Sequence, residues 1–263
     1  MLWLYDLPLW LLCLMITGPL IAYAVVCTLV AQRMDWQTDF EDNQAAGALH
    51  AFAGVVYAVA LALIVVAVQD GYGKADDAAL SEANAASDLF RNLAGLRPEV
   101  RDRLQREVVE YVHLVVDDEW KRQQRSEDSP KTADAIDRLV ADLVTVAPSD
   151  AHEQVILTKV LVDADDLLDA RRKRLFTGQQ GINAATWLMI IVGGCLILAF
   201  AAAFRWKRRD VQMAGMIATS AILGLMIFLI VATDHPAWGS VSIQPDALRG
   251  RLNAFEHVRE LQH

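Results

Sequence analysis

Two sets of side chains in this sequence have types and spacing suited to chemistry. His50, Gly54, Tyr57, Leu61, Ile64 and Val68 follow one another in steps of four and three, which places them on one face of a helix. That face begins with an imidazole, passes a phenol hydroxyl and ends in aliphatic side chains. It suits the wall of an ion conduit whose narrow part is apolar and gates by dewetting. It equally suits helix packing, with His50 and Tyr57 bonded to other helices and Gly54 permitting close approach. Arg171-Arg172-Lys173-Arg174 is the second set. Four consecutive cations can form an electropositive rim that concentrates anions, or pair with upstream carboxylates or lipid phosphate.

The remaining polar clusters have plainer readings. Asp117-Asp118-Glu119 and the group Asp163, Asp165, Asp166 and Asp169 are dense in the oxygens that divalent cations favour. The second group lacks the glycine and closing glutamate of an EF-hand loop, so solvated helix faces account for both. His50 and His235 fall on opposite sides of the expected topology and do not make a metal pair. No nucleophile motif, H-E-x-x-H or C-x-x-C occurs. The sequence therefore implies no enzyme, no cofactor and no metal site. Cys13, Cys27 and Cys195 lie in apolar blocks and read as small buried side chains.

The elements that must position these residues are membrane spans. Mean hydropathy is +0.27 and 54% of the residues are hydrophobic, with the apolar excess concentrated in four blocks. A net charge of −9 argues against nucleic acid as a partner. A bilayer core of ~30 Å needs ~20 apolar residues of helix. Pro8–Ala31, with Pro19 as a kink, Gly47–Gln69, Ala184–Phe204 and Gln212–Thr233 qualify, and no charge interrupts any of them. Ala22-Tyr23-Ala24 mimics a signal-peptide cleavage site, but Met1–Trp10 carries Asp6 and no Lys or Arg, so the first block reads as a retained helix. The expected fold is an all-α integral membrane protein: four transmembrane helices as two pairs, residues 8–69 and 184–233, flanking a soluble antiparallel helical bundle, residues 70–183. Residues 234–263 form an interfacial turn and an amphipathic C-terminal helix.

Orientation is read from basic residues in short loops. Arg205-Trp206-Lys207-Arg208-Arg209-Asp210 is short and basic, which places it in the cytoplasm and the central domain outside. The first connector carries Asp35, Asp39, Glu41 and Asp42 beside Arg33, and Arg171–Arg174 falls on the outer face; long translocated segments are largely exempt from the rule.

Within the central domain, helical spacing continues from the second span through Ala75–Leu93, with a break at Gly95 and Pro98. Val100, Leu104, Val108, Tyr111 and Val115 stripe the next helix, from Pro98 to about residue 124. Pro130 opens a shorter one striped by Ala133, Ile136, Leu139, Val140 and Leu143. Asp150 and Glu153 form a capping-box pattern for a last, long helix.

In order and spacing, a set of residues resembles the bacterial bestrophin-like family. These are Glu82-Ala83, Leu89-Phe90-Arg91, Tyr111, Glu119-Trp120, Leu168, Arg171, Arg172, Arg174, Leu175, Trp187, and Asp234-His235-Pro236 with Trp238-Gly239 close behind. The resemblance covers almost the whole chain. Three departures are the acidic first connector Asp35–Asp42, where family members often have a basic one, Ala237, which displaces the final aromatic to Trp238, and the lack of a glycine within Ala60–Val66. The resemblance implies structural roles for Glu82, Arg91, Tyr111, Glu119, Trp120, Trp187, Asp234 and Pro236. It also implies a bacterial cytoplasmic (inner) membrane location and kinship with oligomeric anion channels. One four-helix subunit has no room for a water-filled path, so a pore would be shared in a homo-oligomer, a pentamer by analogy, with lipid and inorganic ions as its other partners. The rival expectation is a non-conducting membrane sensor or scaffold with an extracytoplasmic helical domain.

Overall fold

A computed structural model describes residues 7–33, 42–204, 206–239 and 241–261. Asp35, Asp39, Glu41 and Arg205, on which the orientation partly rests, lie outside the described residues. Among the described residues there are nine α-helices and no strand. They are α1 (Leu9–Arg33), α2 (Asp42–Asn92), α3 (Pro98–Leu114), α4 (Trp120–Gln123), α5 (Pro130–Val144), α6 (Ala151–Gly178), α7 (Ala184–Ala202), α8 (Arg209–Asp234) and α9 (Asp246–Leu261). Four are long and apolar enough to cross a membrane: α1, the apolar part of α2, α7 and α8.

The chain divides into two compact units. The first contains α1, α2 as far as Asp70, α7 and α8. The second contains α2 from Gly71, α3 to α6, Pro236–Trp238 and α9. α2 therefore serves both without a break over 51 residues. No proline occurs between Pro19 and Pro98, so nothing along that stretch removes a backbone donor or forces a kink.

In the first unit α1 packs on α8 and α7, and α7 on α8. Small residues set the closest approaches. A Cβ at Gly224 of α8 would lie 2.9 Å from the Thr17 Cα of α1, and one at Gly193 of α7 would lie 2.6 Å from the Tyr57 ring of α2. Polar side chains here bond within the unit: Thr28 Oγ1 donates to the Ala24 carbonyl one turn back, and Gln32 Nε2 of α1 to Gln212 Oε1 of α8 at 2.8 Å. With no water in the bilayer core to serve these groups, such bonds replace hydration.

In the second unit the apolar stripes meet in one core. Leu89, Leu93, Leu104, Leu139, Leu143 and Leu167 are fully buried, each worth ~1.5–3 kcal/mol relative to exposure. The caps match the sequence pattern. Asp150 Oδ1 accepts from the Glu153 N–H at 2.7 Å, and the Glu153 carboxylate accepts from the Ser149 N–H at 2.6 Å and the Arg97 N–H at 3.2 Å. Ser129 caps α5 by accepting from the Thr132 N–H.

One element departs from the sequence expectation. The helix from Pro98 is not uniform, since Val115–Glu119 is a π-helical turn between α3 and α4. An inserted residue of this kind re-aims the side chains on its C-terminal side. Here it allows Tyr111, Glu119, Trp120 and Gln123 all to be buried.

Candidate functional site

The most unusual chemistry lies inside the second unit. Glu82 from α2, Glu119 from the π turn and Arg174 from α6 are 0%, 2% and 2% exposed, and they are bonded to one another. Arg174 Nε donates to Glu82 Oε2, its Nη2 donates to Glu119 Oε2, and its Nη1 donates to Gln123 Oε1 at 2.5 Å. Tyr111 Oη donates to Glu82 Oε1 at 2.5 Å, and Arg171 Nη2 donates to Glu119 Oε1 at 2.5 Å. The Arg174 guanidinium stands 5.0 Å from the Trp120 ring centre, within cation–π range. Trp120 in turn donates to the Ile243 carbonyl at 3.0 Å, which draws the segment before α9 onto the cluster.

Two guanidinium groups thus face two carboxylates, so the formal charges cancel. Burial alone would lower the Arg174 pKa; the charges of Glu82 and Glu119 outweigh it and raise it. Burial, and after it the charge on Glu82, pushes the Tyr111 phenol well above its usual range. The bonded pairs hold α2, the π turn and α6 in fixed relation.

This arrangement changes the meaning of the basic run. The sequence leaves Arg171 and Arg174 open between an electropositive rim and pairing with upstream carboxylates or lipid phosphate. The structure turns both inward, because their partners Glu119 and Glu82 are buried and leaving those carboxylates without cations would be costly. Only Arg172 and Lys173 remain exposed, and Arg172 pairs with Asp169 at 3.0 Å. Sequence reasoning names Glu82, Tyr111, Glu119, Trp120, Arg171 and Arg174 separately, and the structure gathers them. It misses Gln123, which carries no motif. Gly178 is a small residue that makes room for the Gln123 amide.

In the first unit, the face His50, Gly54, Tyr57, Leu61, Ile64 and Val68 packs toward α7 and α8 of the same chain and does not form a free wall. Tyr57 Oη donates to the Ile190 carbonyl at 2.7 Å. Leu61 and Val68 are buried in the core of this unit, with Ile64 against it. The His50 ring meets Phe200 and Phe204 edge-on at 5.3 and 5.4 Å, and its Nδ1 is buried without a partner. A Cβ added at Gly54 would meet nothing within 4 Å. The physical reason is the Gly193-Gly194 pair of α7, which admits the Tyr57 ring. The opposite face of α2 carries Phe52, Val55, Val59, Leu63 and Val66 and is exposed, Phe52 by 72% and Leu63 by 65%.

The other motif residues fall in separate places. Arg91 is exposed and pairs with Asp88. Trp187 packs against the core of the first unit. Asp234 is buried and accepts from the Ile182 N–H at 2.6 Å. The Pro236 carbonyl accepts from the Ile243 N–H at 2.9 Å. The acidic runs are dispersed into local pairs: Asp118 with Arg122 and Ser129, and Asp163 with Asn92 and Lys159. Among the described residues no three His, Cys, Asp or Glu side chains group to hold a metal ion. One titratable group stands apart. Burial, then a hydrogen bond with Asp142 and its charge, raises the Glu107 carboxyl to about 7 against the opposing Arg103 and Arg138.

Four spanning helices, a polar helical unit and a neutralised buried ion cluster define a multi-pass α-helical membrane protein. The bestrophin-like domain matches residues 18–248, and the chain belongs to the bestrophin-like family. Membership sets it among ion-transport proteins and apart from enzymes. No curated protein and no solved structure matches the chain.

Proposed function

We propose that the protein is a homo-oligomeric, anion-conducting channel whose conduit is lined by α2. The observation that carries this reading is the uncovered apolar face of α2. Of the four spans, α2 is the least buried, and its stripe from Phe52 to Val66 is more than half exposed among the described residues. Copies arranged around an axis would place that stripe on the conduit, an apolar constriction of the type that gates by dewetting. The inward face from His50 to Val68 would then hold α2 against α7. The two helix pairs would flank an extracytoplasmic antiparallel bundle, with Lys207–Arg209 at the cytoplasmic surface. Kinship with bestrophins supports anions as the permeant class and five as the copy number. Within the basic run, Arg172 and Lys173 are the exposed cations available to favour anion entry.

The test is current through purified protein in a planar bilayer under a salt gradient. Discrete conductance with a reversal potential toward the anion equilibrium is expected. Leu63→Ser raises conductance and Leu61→Ser does not, because only the first faces the conduit. Equal effects of the two would remove the exposed face from the pore, and a cation-directed reversal would overturn the permeant class. A second reading, a non-conducting sensor or scaffold, draws on the unbroken run of α2 through both units, which suits transmission of a shift across the bilayer. Silence from intact oligomers across voltage and pH would favour it.

A further inference from the structure

The second unit contains a groove that neither the buried ion cluster nor the proposed conduit uses. About 250 Å³ of space lies between the end of α2, α3 and α9, just under the ~300–1,000 Å³ of pockets that hold drug-sized ligands. Its apolar surface includes Phe90 and Phe255, whose rings stack at 4.3 Å and 13° from parallel. Two guanidinium groups, Arg91 and Arg251, line it, and among the described residues no carboxylate does. Arg251 donates one bond to Asn84 Oδ1 at 3.1 Å and Arg91 one to Asp88 at 3.3 Å. A guanidinium carries five N–H donors, so each keeps donors for an anion.

The third feature is Gln105, which also lines the groove and is 1% exposed. Its amide N–H donates to the Phe90 carbonyl at 3.0 Å, while its Oε1 is buried with no donor. A buried acceptor without a donor carries an uncompensated desolvation cost, and a ligand hydroxyl is a group that relieves it.

Paired cations, an aromatic floor and an orphan acceptor call for three complementary groups on one small molecule. We propose that this groove binds a small monocarboxylate with an apolar or aromatic body and a hydroxyl group. The carboxylate pairs with Arg91 and Arg251, the body lies on the Phe90–Phe255 pair, and the hydroxyl donates to Gln105 Oε1. Occupancy ties the C-terminal helix α9 to α2 and α3.

The test uses the full chain in detergent micelles, titrated calorimetrically with 4-hydroxybenzoate, benzoate and phenol as probes. Saturable binding of 4-hydroxybenzoate is expected. Benzoate binds several-fold more weakly for want of the hydroxyl, and phenol more weakly still for want of the carboxylate. Arg251→Gln lowers affinity roughly tenfold, the cost of one charge-assisted bond. Ala254→Phe, at an exposed position on the groove, fills the space and abolishes binding while leaving the melting temperature unchanged. Absence of saturable binding to the wild type overturns the proposal. Equal heat from wild type and Ala254→Phe means partition into the micelle and also overturns it. Benzoate binding as tightly as 4-hydroxybenzoate removes Gln105 from the site.

Discussion

Replacing Arg174 by methionine tests whether the buried ion cluster is what holds α6 to α2 and the π turn. The substitution conserves side-chain length and apolar bulk but deletes the cation that Glu82 and Glu119 share. Arg171 still serves Glu119; among the described residues Glu82 keeps the Tyr111 hydroxyl as its partner, and it is fully buried. Removing one partner of a buried ion pair costs ~3–5 kcal/mol, most of it the uncompensated charge. For a chain of this size that corresponds to a fall in melting temperature on the order of 10 °C. The assay is unfolding of the full chain in mild detergent, monitored by far-UV circular dichroism. The diagnostic arm is the double substitution Arg174→Met with Glu82→Met. Because it removes the stranded carboxylate, it is more stable than Arg174→Met alone by ~2 kcal/mol or more. A single variant that melts with the wild type, or a double variant no better than the single, would refute the assignment of the cluster as a structural lock.

The same geometry sets three further outcomes. Glu107 is half-buried with its carboxyl raised to about 7, so its stabilising contribution is intact below the unfolded value near 4.5 and is lost as pH rises through about 7. Glu107→Gln therefore stabilises the protein at pH 8 relative to wild type, on the order of 1 kcal/mol after solvent screening, and hardly at pH 4; melting curves at the two pH values check this. Asp150→Ala removes the cap of α6 and costs ~0.5–2 kcal/mol by denaturant titration. Gly224→Val drives a side chain into the Thr17 backbone of α1 and costs ~1–3 kcal/mol, read as a lowered melting temperature in detergent.

The four apolar blocks, the breaks at Pro98 and Pro130, and the Asp150–Glu153 cap were legible in the sequence. Each depends on local properties: run length, a missing backbone donor, or a side chain three residues from its partner. Family membership was also legible, because it rests on the order of residues along the chain. The direction a face points was not. His50 to Val68 share a helical face by periodicity alone, but the partner of that face is chosen by Gly193 and Gly194, well over a hundred positions away. The basic run is similar. Arg171 to Arg174 are consecutive, yet a helix sends 171 and 174 to one side and 172 and 173 to the other, and only the buried carboxylates of Glu82 and Glu119 decide which side is interior.

Sequence by itself determined which stretches are apolar enough to span a membrane and where Pro98, Pro130 and Asp150 open helices, because run length and capping are short-range. Tertiary structure alone decided which charges are spent inside the protein and which are left for a ligand or an ion. That choice depends on contacts between side chains as far apart as Glu82 and Arg174, and on a π turn that no local pattern announced.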